Sequence, residues 1–443
     1  MAAKNLVEKV WEAGVVGAGG AGFPTWKKIA ARVDTVVANG AECEPLLRND
    51  QQVMAARAGE VVRGVALTMQ ATGAIRGIIA LKKKYTAAIA NLQKELRGSP
   101  AISLHLLESV YPAGDEFVLV YETTGRVVPP GAIPLKVGVV VSNVETFLNV
   151  SRAETGDPVV SRYLTVAGAV REPKVVRLPI GAPLQAALEL AGGTELDDFA
   201  VVTGGPMMGA VAENLDQPVT KTTSSAIVLP VDHPVVARKT RALDFDLRSI
   251  QEACCQCVYC TLVCPRSLLG HNFKPHLVMR SLALGLPYPE ARGVSGAPFC
   301  CACDLCGVYA CPMNLPIGRY NKQVAEKLQE MNWERALPEE SCVPSPLREF
   351  SLVPVSRLTE RLGLKEFNRP APLLDRDVPV PRVVIPLRQH LGAAAKPTVK
   401  KGATVRRGDV IGDLPREVMG ARVHASISGK VTKVNEELVV ISS

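Results

Sequence analysis

The sequence predicts a multi-domain α/β protein: a largely parallel α/β unit, a small α+β unit, a cysteine-rich unit and a C-terminal all-β module. Three observations predict it. Apolar strand-like runs alternate with helical stretches through the first 110 or so residues. Ten of the 12 cysteines lie between Cys254 and Cys311. From Val383 onward, short β-prone runs alternate with glycine turns such as Lys401-Gly402 and Gly408-Asp409.

The first unit begins with Leu6, Val7, Val10 and Trp11 on one helical face. A glycine-rich loop, Gly17-Ala-Gly-Gly-Ala-Gly-Phe-Pro-Thr25, follows. The pattern then predicts a helix over 26–32, a strand over 35–38 and a helix over 51–72. A strand over 77–81, a helix over 84–97 and a strand over 102–107 complete the alternation. In the second unit, 162–168 and 174–178 read as a hairpin, followed by a helix at 183–191 and a strand at 199–203. The expected boundaries are 1–157, 158–240, 245–335 for the cysteine-rich unit, and 383–443. Residues 336–382, with eight prolines, are expected to form an extended linker.

Composition narrows the function. Of 443 residues, 47% are hydrophobic and 21% charged, which suits several buried cores and excludes a disordered or coiled-coil chain. A net charge of +8 over this length is too mild to argue for nucleic acid, and 5% aromatic residues make a base-stacking platform unexpected. No window reaches the roughly 18 apolar residues of a membrane span. The start lacks a signal-peptide pattern, so the expected location is the cytoplasm, where thiols stay reduced. The cysteines then need a use other than disulfides.

That use is written in their spacing. Cys254, Cys257, Cys260 and Cys264-Pro265 form the bacterial ferredoxin run, and Cys300, Cys303, Cys306 and Cys311-Pro312 repeat it with one extra residue before the last cysteine. A [4Fe–4S] cube needs four converging thiolates, three from one tight loop and a fourth from elsewhere. In two-cluster ferredoxins the fourth cysteine serves the other cluster. The expected sets are therefore Cys254, Cys257, Cys260 and Cys311 for one cube, and Cys300, Cys303, Cys306 and Cys264 for the other. Paired zinc sites are the alternative, but they use two C-x2-C pairs per ion rather than triplets with a Cys-Pro. Cys255 and Cys301 are read as spare, and Cys43 and Cys342 as plain small residues. Gly17, Gly19 and Gly22 satisfy G-x-G-x-x-G, although a helix and not a full strand precedes them. Such a loop lets backbone N–H groups approach a phosphate, with Lys27 or Lys28 adding charge; a purely structural turn is the alternative. No His motif for a metal and no nucleophile triad is evident.

With these motifs in order, the chain resembles the RnfC/PduS-like family of flavo-iron–sulfur electron-transfer proteins, related to the NADH-binding flavoprotein subunit of respiratory complex I. The glycine loop resembles that subunit's flavin loop. Asn39-Gly-Ala-Glu-Cys-Glu-Pro45, Tyr111-Pro-Ala-Gly-Asp-Glu116 and Ser142-Asn-Val-Glu-Thr146 resemble further segments of the same site. Residues 158–240 look like an SLBB β-grasp domain, 250–315 like an α-helical double [4Fe–4S] ferredoxin-like domain, and 383–443 like a β barrel-sandwich hybrid. The resemblance implies FMN held by Gly17, Gly19, Gly20, Gly22 and Lys28, with Asn39, Asn143 and Thr146 at the flavin. Glu42, Glu44 and Glu116 would face flavin and NADH, and Phe23 would lie near a nucleotide ring. The sequence departs from the pattern at Ala18, Asp115 and Ser142. The implied function is an NADH-dependent oxidoreductase passing electrons through FMN and two [4Fe–4S] clusters to a corrinoid, a partner enzyme or a membrane Rnf-like complex. Two places other than open cytoplasm are also implied: the inner-membrane periphery and the inside of a bacterial microcompartment. One alternative is a non-catalytic iron–sulfur relay or scaffold subunit that does not itself oxidise NADH. Another is a ferredoxin-like domain fused to a Rossmann dehydrogenase.

Overall fold

The computed structural model describes residues 5–242, 248, 250–285, 293–333 and 342–443. Positions 245–247, 249, 286–292 and 334–335 of the expected cysteine-rich unit and 336–341 of the expected linker lie outside the described residues. In order, the first unit contains α1 (Leu6–Glu12), α2 (Thr25–Ile29), β1 (Thr35–Gly40), α3 (Asn49–Ala56), α4 (Ala58–Thr72), β2 (Arg76–Lys82), α5 (Thr86–Glu95) and β3 (Ile102–Leu107). Then come β4 (Val110–Tyr111), α6 (Glu116–Thr124), β5 (Val139–Asn143) and α7 (Val144–Glu154).

Strands β3, β2, β1 and β5 form a parallel sheet in that order. The central strand β1 is apolar over Val36, Val37 and Ala38 because both its faces are covered there. Val36 and Ala38 face the core under α3, α4, α5 and α7, whereas Val37 faces the core under α6. Helix α4 lies so close to α7 that a side chain at Gly64 would collide with the Phe147 carbonyl. The chain leaves β1 toward β2 and returns on its other side at β5. The carboxyl ends of β1 and β5 therefore border the switch point where open α/β sheets bind ligands. Asn39 and Asn143 are register partners there.

The helix expected over 51–72 is two helices. Arg57 leaves helical geometry (φ −127°, ψ 32°), and its Nε donates to Asp375 at 2.9 Å. The break turns the N-terminus of α3 toward Glu42, which accepts from the Asn49 and Asp50 amides at 3.1 and 3.3 Å.

The second unit is a six-stranded mixed sheet built from β6 (Ser161–Gly168), β7 (Lys174–Pro179), β8 (Phe199–Thr203), β9 (Ala210–Val211) and β10 (Ser225–Pro230), with Leu373–Leu374 on its edge and helix α8 (Leu184–Leu190) packed across it. The β6–β7 hairpin and the parallel β6–β10 pair make a β-grasp. Helix α9 (Pro234–Thr240) leads into the cysteine-rich unit.

The proline-rich segment is more than a linker. Val353–Pro354 pairs antiparallel with β4, Val355–Arg361 is helical, and Leu373–Leu374 pairs parallel with β7. Pro354 precedes that helix as its cap, where a missing N–H costs no helix bond. The C-terminal module folds as two small sheets, one of four strands and one of three. It shares one core with the other units: Val10 and Trp26, Leu164 and Val228, and Ile385, Ile411 and Val439 belong to a single buried cluster. At about 1.5–3 kcal/mol per buried aliphatic side chain, such a core makes the C-terminal module part of the body.

Candidate functional site: a cleft joined to two cysteine cradles

A cleft of about 660 Å³ opens at the switch point, within the range of small-molecule and cofactor sites. Gly19, Gly20, Phe23, Lys28, Asn39, Glu42, Glu44, Glu116 and Asn143 line it. Gly17, Gly22 and Thr146 stand behind its wall. The Gly17 amide donates to the Phe23 carbonyl at 3.0 Å, and Thr146 Oγ1 accepts from the Ala18 amide at 2.9 Å, so both shape the loop from behind. Gly22 adopts φ +72° against His390, where a Cβ would lie 2.9 Å from the His390 Cα. At Gly20 a Cβ would meet nothing within 4 Å. The loop thus leaves its bare backbone facing the cleft. Helix α2 is a single turn, shorter than the expected 26–32 helix, so the loop amides rather than a helix end present the N–H groups here.

The polar lining is already organised. Asn39 Nδ2 donates to the Gly114 carbonyl at 2.8 Å. Asn143 caps α7 through the Glu145 amide at 2.9 Å and donates to both Asp50 oxygens at 3.0 Å. Lys28 Nζ donates to Glu116 at 3.0 Å and to the Val141 carbonyl at 2.9 Å. Glu44 accepts from the Met207 and Met208 amides, each at 2.8 Å, which ties the β-grasp loop after β8 to the cleft. Burial pushes Glu44 up to about 7 and Asp50 up to about 6, and raises Glu42 well above the usual carboxylate range with Asp50 adding to the rise.

Sequence reasoning missed several lining residues. Asp50 and Asn49 open α3; Arg162, Thr222, Ser224 and Met208 come from the β-grasp unit; Leu391 comes from the C-terminal module. The residues from other units are far away in sequence, and no local pattern marks them. Cys301 and Cys303 line the same cleft, so the second cysteine run forms part of its wall. The Tyr111 hydroxyl, buried under the cleft, donates to the Cys303 carbonyl at 2.8 Å.

The cysteines are brought together crosswise. Cys254, Cys257, Cys260 and Cys311 line one small cavity with Cys255. Cys264 lies among the residues of the second run, where Cys300 acts on its charge, and it shares an apolar shell with Phe273, Val278 and Cys300. The extra residue before Cys311 is taken up by a π-helical turn, Cys306–Ala310, where the first run uses an α-turn, Tyr259–Leu262. Both loops also share a rare backbone. Gln256 and Val258 flank Cys257 at φ 55° and 67°, and Ala302 and Asp304 flank Cys303 at φ 56° and 53°. Val258 is β-branched, and such a residue at positive φ is a true outlier; four non-glycine residues at positive φ in matched positions mark two concave loops. Amides already point at sulfur: Ala302 N to Cys300 and Leu315 N to Cys311, each 3.4 Å. Burial pushes the Cys260 and Cys300 thiols up to about 12; a bound metal reverses that logic by holding thiolate. Among the described residues no three His, Cys, Asp or Glu side chains converge tightly enough for one metal ion. A zinc site needs its sulfurs about 2.3 Å from a single point. Four thiols lining one small pocket, with N–H groups directed at Cys300 and Cys311, suit the thiolates of a cube. Cys255 is exposed and Cys43 half-buried.

Comparison with known proteins agrees with this geometry. Residues 10–152 match the Nuo51 FMN-binding domain, 163–211 the SLBB domain, 253–316 the 4Fe-4S dicluster domain and 364–443 the RnfC barrel sandwich hybrid domain. The chain is 44% identical to the cobalamin reductase PduS of Citrobacter freundii over 99% of this chain and 96% of that one. It belongs to the PduS–RnfC family. The PduS protein of Salmonella typhimurium is 43% identical over 100% of this chain and 97% of its own. A component of the Na(+)-translocating ferredoxin:NAD(+) oxidoreductase complex of Acetobacterium woodii is 37% identical, over 61% of this chain and 60% of its own length. The resemblance read from the motifs therefore holds, as does the four-part fold. The chain is an NADH-linked flavo-iron–sulfur oxidoreductase whose cofactors are FMN and two [4Fe–4S] clusters. No helix among the described residues is long and apolar enough to cross a membrane.

Proposed function

We propose that this chain delivers electrons from NADH to a corrinoid, by way of an FMN in the cleft and two clusters on the crosswise cysteine sets. The observation that carries the reading is the shared wall: Cys301 and Cys303 of the second run line the same cleft as Gly19 and Gly20 of the glycine loop. FMN, when bound, supplies the exchange between paired electrons from a nicotinamide and single electrons for iron–sulfur centres. The loop amides at Gly19 and Gly20 and the Lys28 ammonium would take its phosphate and ribityl side, with Asn39 and Asn143 at the polar ring atoms. Phe23 and Glu116, which line the same cleft, would receive the nicotinamide nucleotide.

The set Cys300, Cys303, Cys306 and Cys264 would hold the cluster nearer the flavin. The set Cys254, Cys257, Cys260 and Cys311 would hold the farther one. Its loop carries exposed Cys255, Tyr259 and Leu262, and this is the side on which an acceptor can approach. The corrinoid acceptor is supported by the full-length likeness to the two cobalamin reductases.

The test is anaerobic addition of NADH to the reconstituted full-length chain. The flavin absorbance bleaches, and cob(II)alamin supplied afterwards re-oxidises the protein. Flavin that stays oxidised under NADH overturns the reading and leaves an iron–sulfur relay protein. Flavin that bleaches but is re-oxidised only by a partner protein removes the corrinoid alone.

A further inference from the structure

We propose that the Arg266–Asp115 pair sets the reduction potential of the cluster held by Cys300, Cys303, Cys306 and Cys264. The proposal rests on the cluster assignment above. Arg266 follows Cys264 by two residues, in the short helix Pro265–Leu268. Its guanidinium meets the Asp115 carboxylate with both forks, at 2.6 and 2.8 Å. The two side chains are 8% and 13% exposed, and the Phe117 ring covers the guanidinium at 4.1 Å. Asp115 also caps α6, accepting from the Phe117 and Val118 amides at 3.1 and 3.2 Å, and it lines the cleft. The pair therefore spans the space between cleft and cradle. Its cation is on the cradle side, where its charge acts on Cys264, Cys300 and Cys301.

The sign follows from charge alone. Reducing a cluster adds one negative charge. A guanidinium cannot lose its proton, so it remains a permanent cation beside those sulfurs and favours the reduced form. Burial leaves little solvent or salt to screen it. Asp115 opposes that field and holds the guanidinium in one orientation. The sequence departure at Asp115 thereby gains a physical use: a shorter acid that reaches the cap of α6 and Arg266 together.

The experiment is an EPR-monitored redox titration of the reconstituted full-length protein, with the farther cluster as internal reference. Arg266→Gln lowers the potential of one cluster and leaves the other in place. Asp115→Asn, which keeps a capping side chain, raises the same potential. Arg266→Lys keeps the charge while losing the fork, and stays closer to wild type than Arg266→Gln. If both single changes move the potential in one direction, if lysine behaves as glutamine does, or if nothing moves, the proposal is overturned. Should Arg266→Gln fail to hold its cluster, Asp115→Asn and Arg266→Lys decide the matter alone. Iron content and the number of titrating centres in the unmutated protein report separately on the cluster assignment.

Discussion

Arg162, at the start of the β-grasp sheet, holds the glycine loop of a different unit: its guanidinium donates to the Ala18 carbonyl at 2.8 Å. It also donates to the Thr223 carbonyl at 2.8 Å and is ion-paired with Glu145 of α7. Both charged side chains are nearly inaccessible, at 4% and 2% exposed. Glu145 in turn accepts from the Tyr163 amide at 3.2 Å. One buried network thus binds the loop, the helix after β5 and the neighbouring sheet.

Removing one member strands the other as a buried charge. Arg162→Met is expected to cost about 3–5 kcal/mol of stability, and the double change with Glu145→Met far less than the sum. The single variant also loosens the loop, so FMN affinity falls with it. Chemical denaturation of the three variants, with flavin fluorescence to follow FMN release, reads both effects.

Gly20 separates binding from folding. It has open space around its missing Cβ and lines the cleft. Gly20→Val is expected to leave the melting temperature within about 2 °C, since surface changes that break no contact stay within about 0.5 kcal/mol. FMN affinity should nevertheless fall at least about tenfold, a loss of about 1.4 kcal/mol, because the side chain stands where the cofactor must approach the backbone. An unchanged FMN dissociation constant would show that the cofactor lies elsewhere.

Glu44 gives the fold a dependence on pH. Its carboxyl titrates near 7 in the folded chain against 4.5 when exposed, because burial outweighs the two amides that favour the anion. The folded state therefore holds this proton more tightly than the unfolded chain does. The associated stability is fully present below about pH 4.5 and is lost as pH rises through 7. Its ceiling is on the order of 3 kcal/mol for a shift of this size. Glu44→Gln is expected to flatten that part of the stability–pH curve, measured by urea denaturation from pH 5 to 8. An identical slope in the variant would remove Glu44 as the cause.

Much of this was legible in the chain. The cysteine spacing carried the dicluster unit because geometry at iron leaves few workable spacings. The strand–helix alternation carried the parallel sheet, and the β-grasp hairpin fell at residues 161–179 as its alternating pattern suggests. The Val139–Asn143 strand and the helix after it were readable as an apolar run and an Asn cap, yet the motif there pointed to binding alone. The cleft was half legible. The loop and both asparagines lie on it, but Arg162, Met208 and Leu391 reach it from other units, through contacts that no sequence window contains. The proline-rich segment misled because proline composition reports only a lack of donors; here Pro354 stands at a helix start, and the segment pairs with β4 and adds an edge strand to the β-grasp sheet.

The crosswise cysteine sets make the sharpest separable claim. Cys311 shares a cavity with Cys254, Cys257 and Cys260, although 51 residues separate it from Cys260 in the numbering, and Cys264 sits with the second run. Single alanine substitutions should therefore sort into two groups by the EPR signal they disturb. Cys311→Ala and Cys254→Ala should alter one signal, and Cys264→Ala and Cys300→Ala the other. Each variant should lose about half of the roughly eight irons expected from two cubes. If each run instead kept its own fourth cysteine, Cys311→Ala would pair with Cys300→Ala. The π-helical turn at Cys306–Ala310 could then not be the device that swings Cys311 across to the first loop.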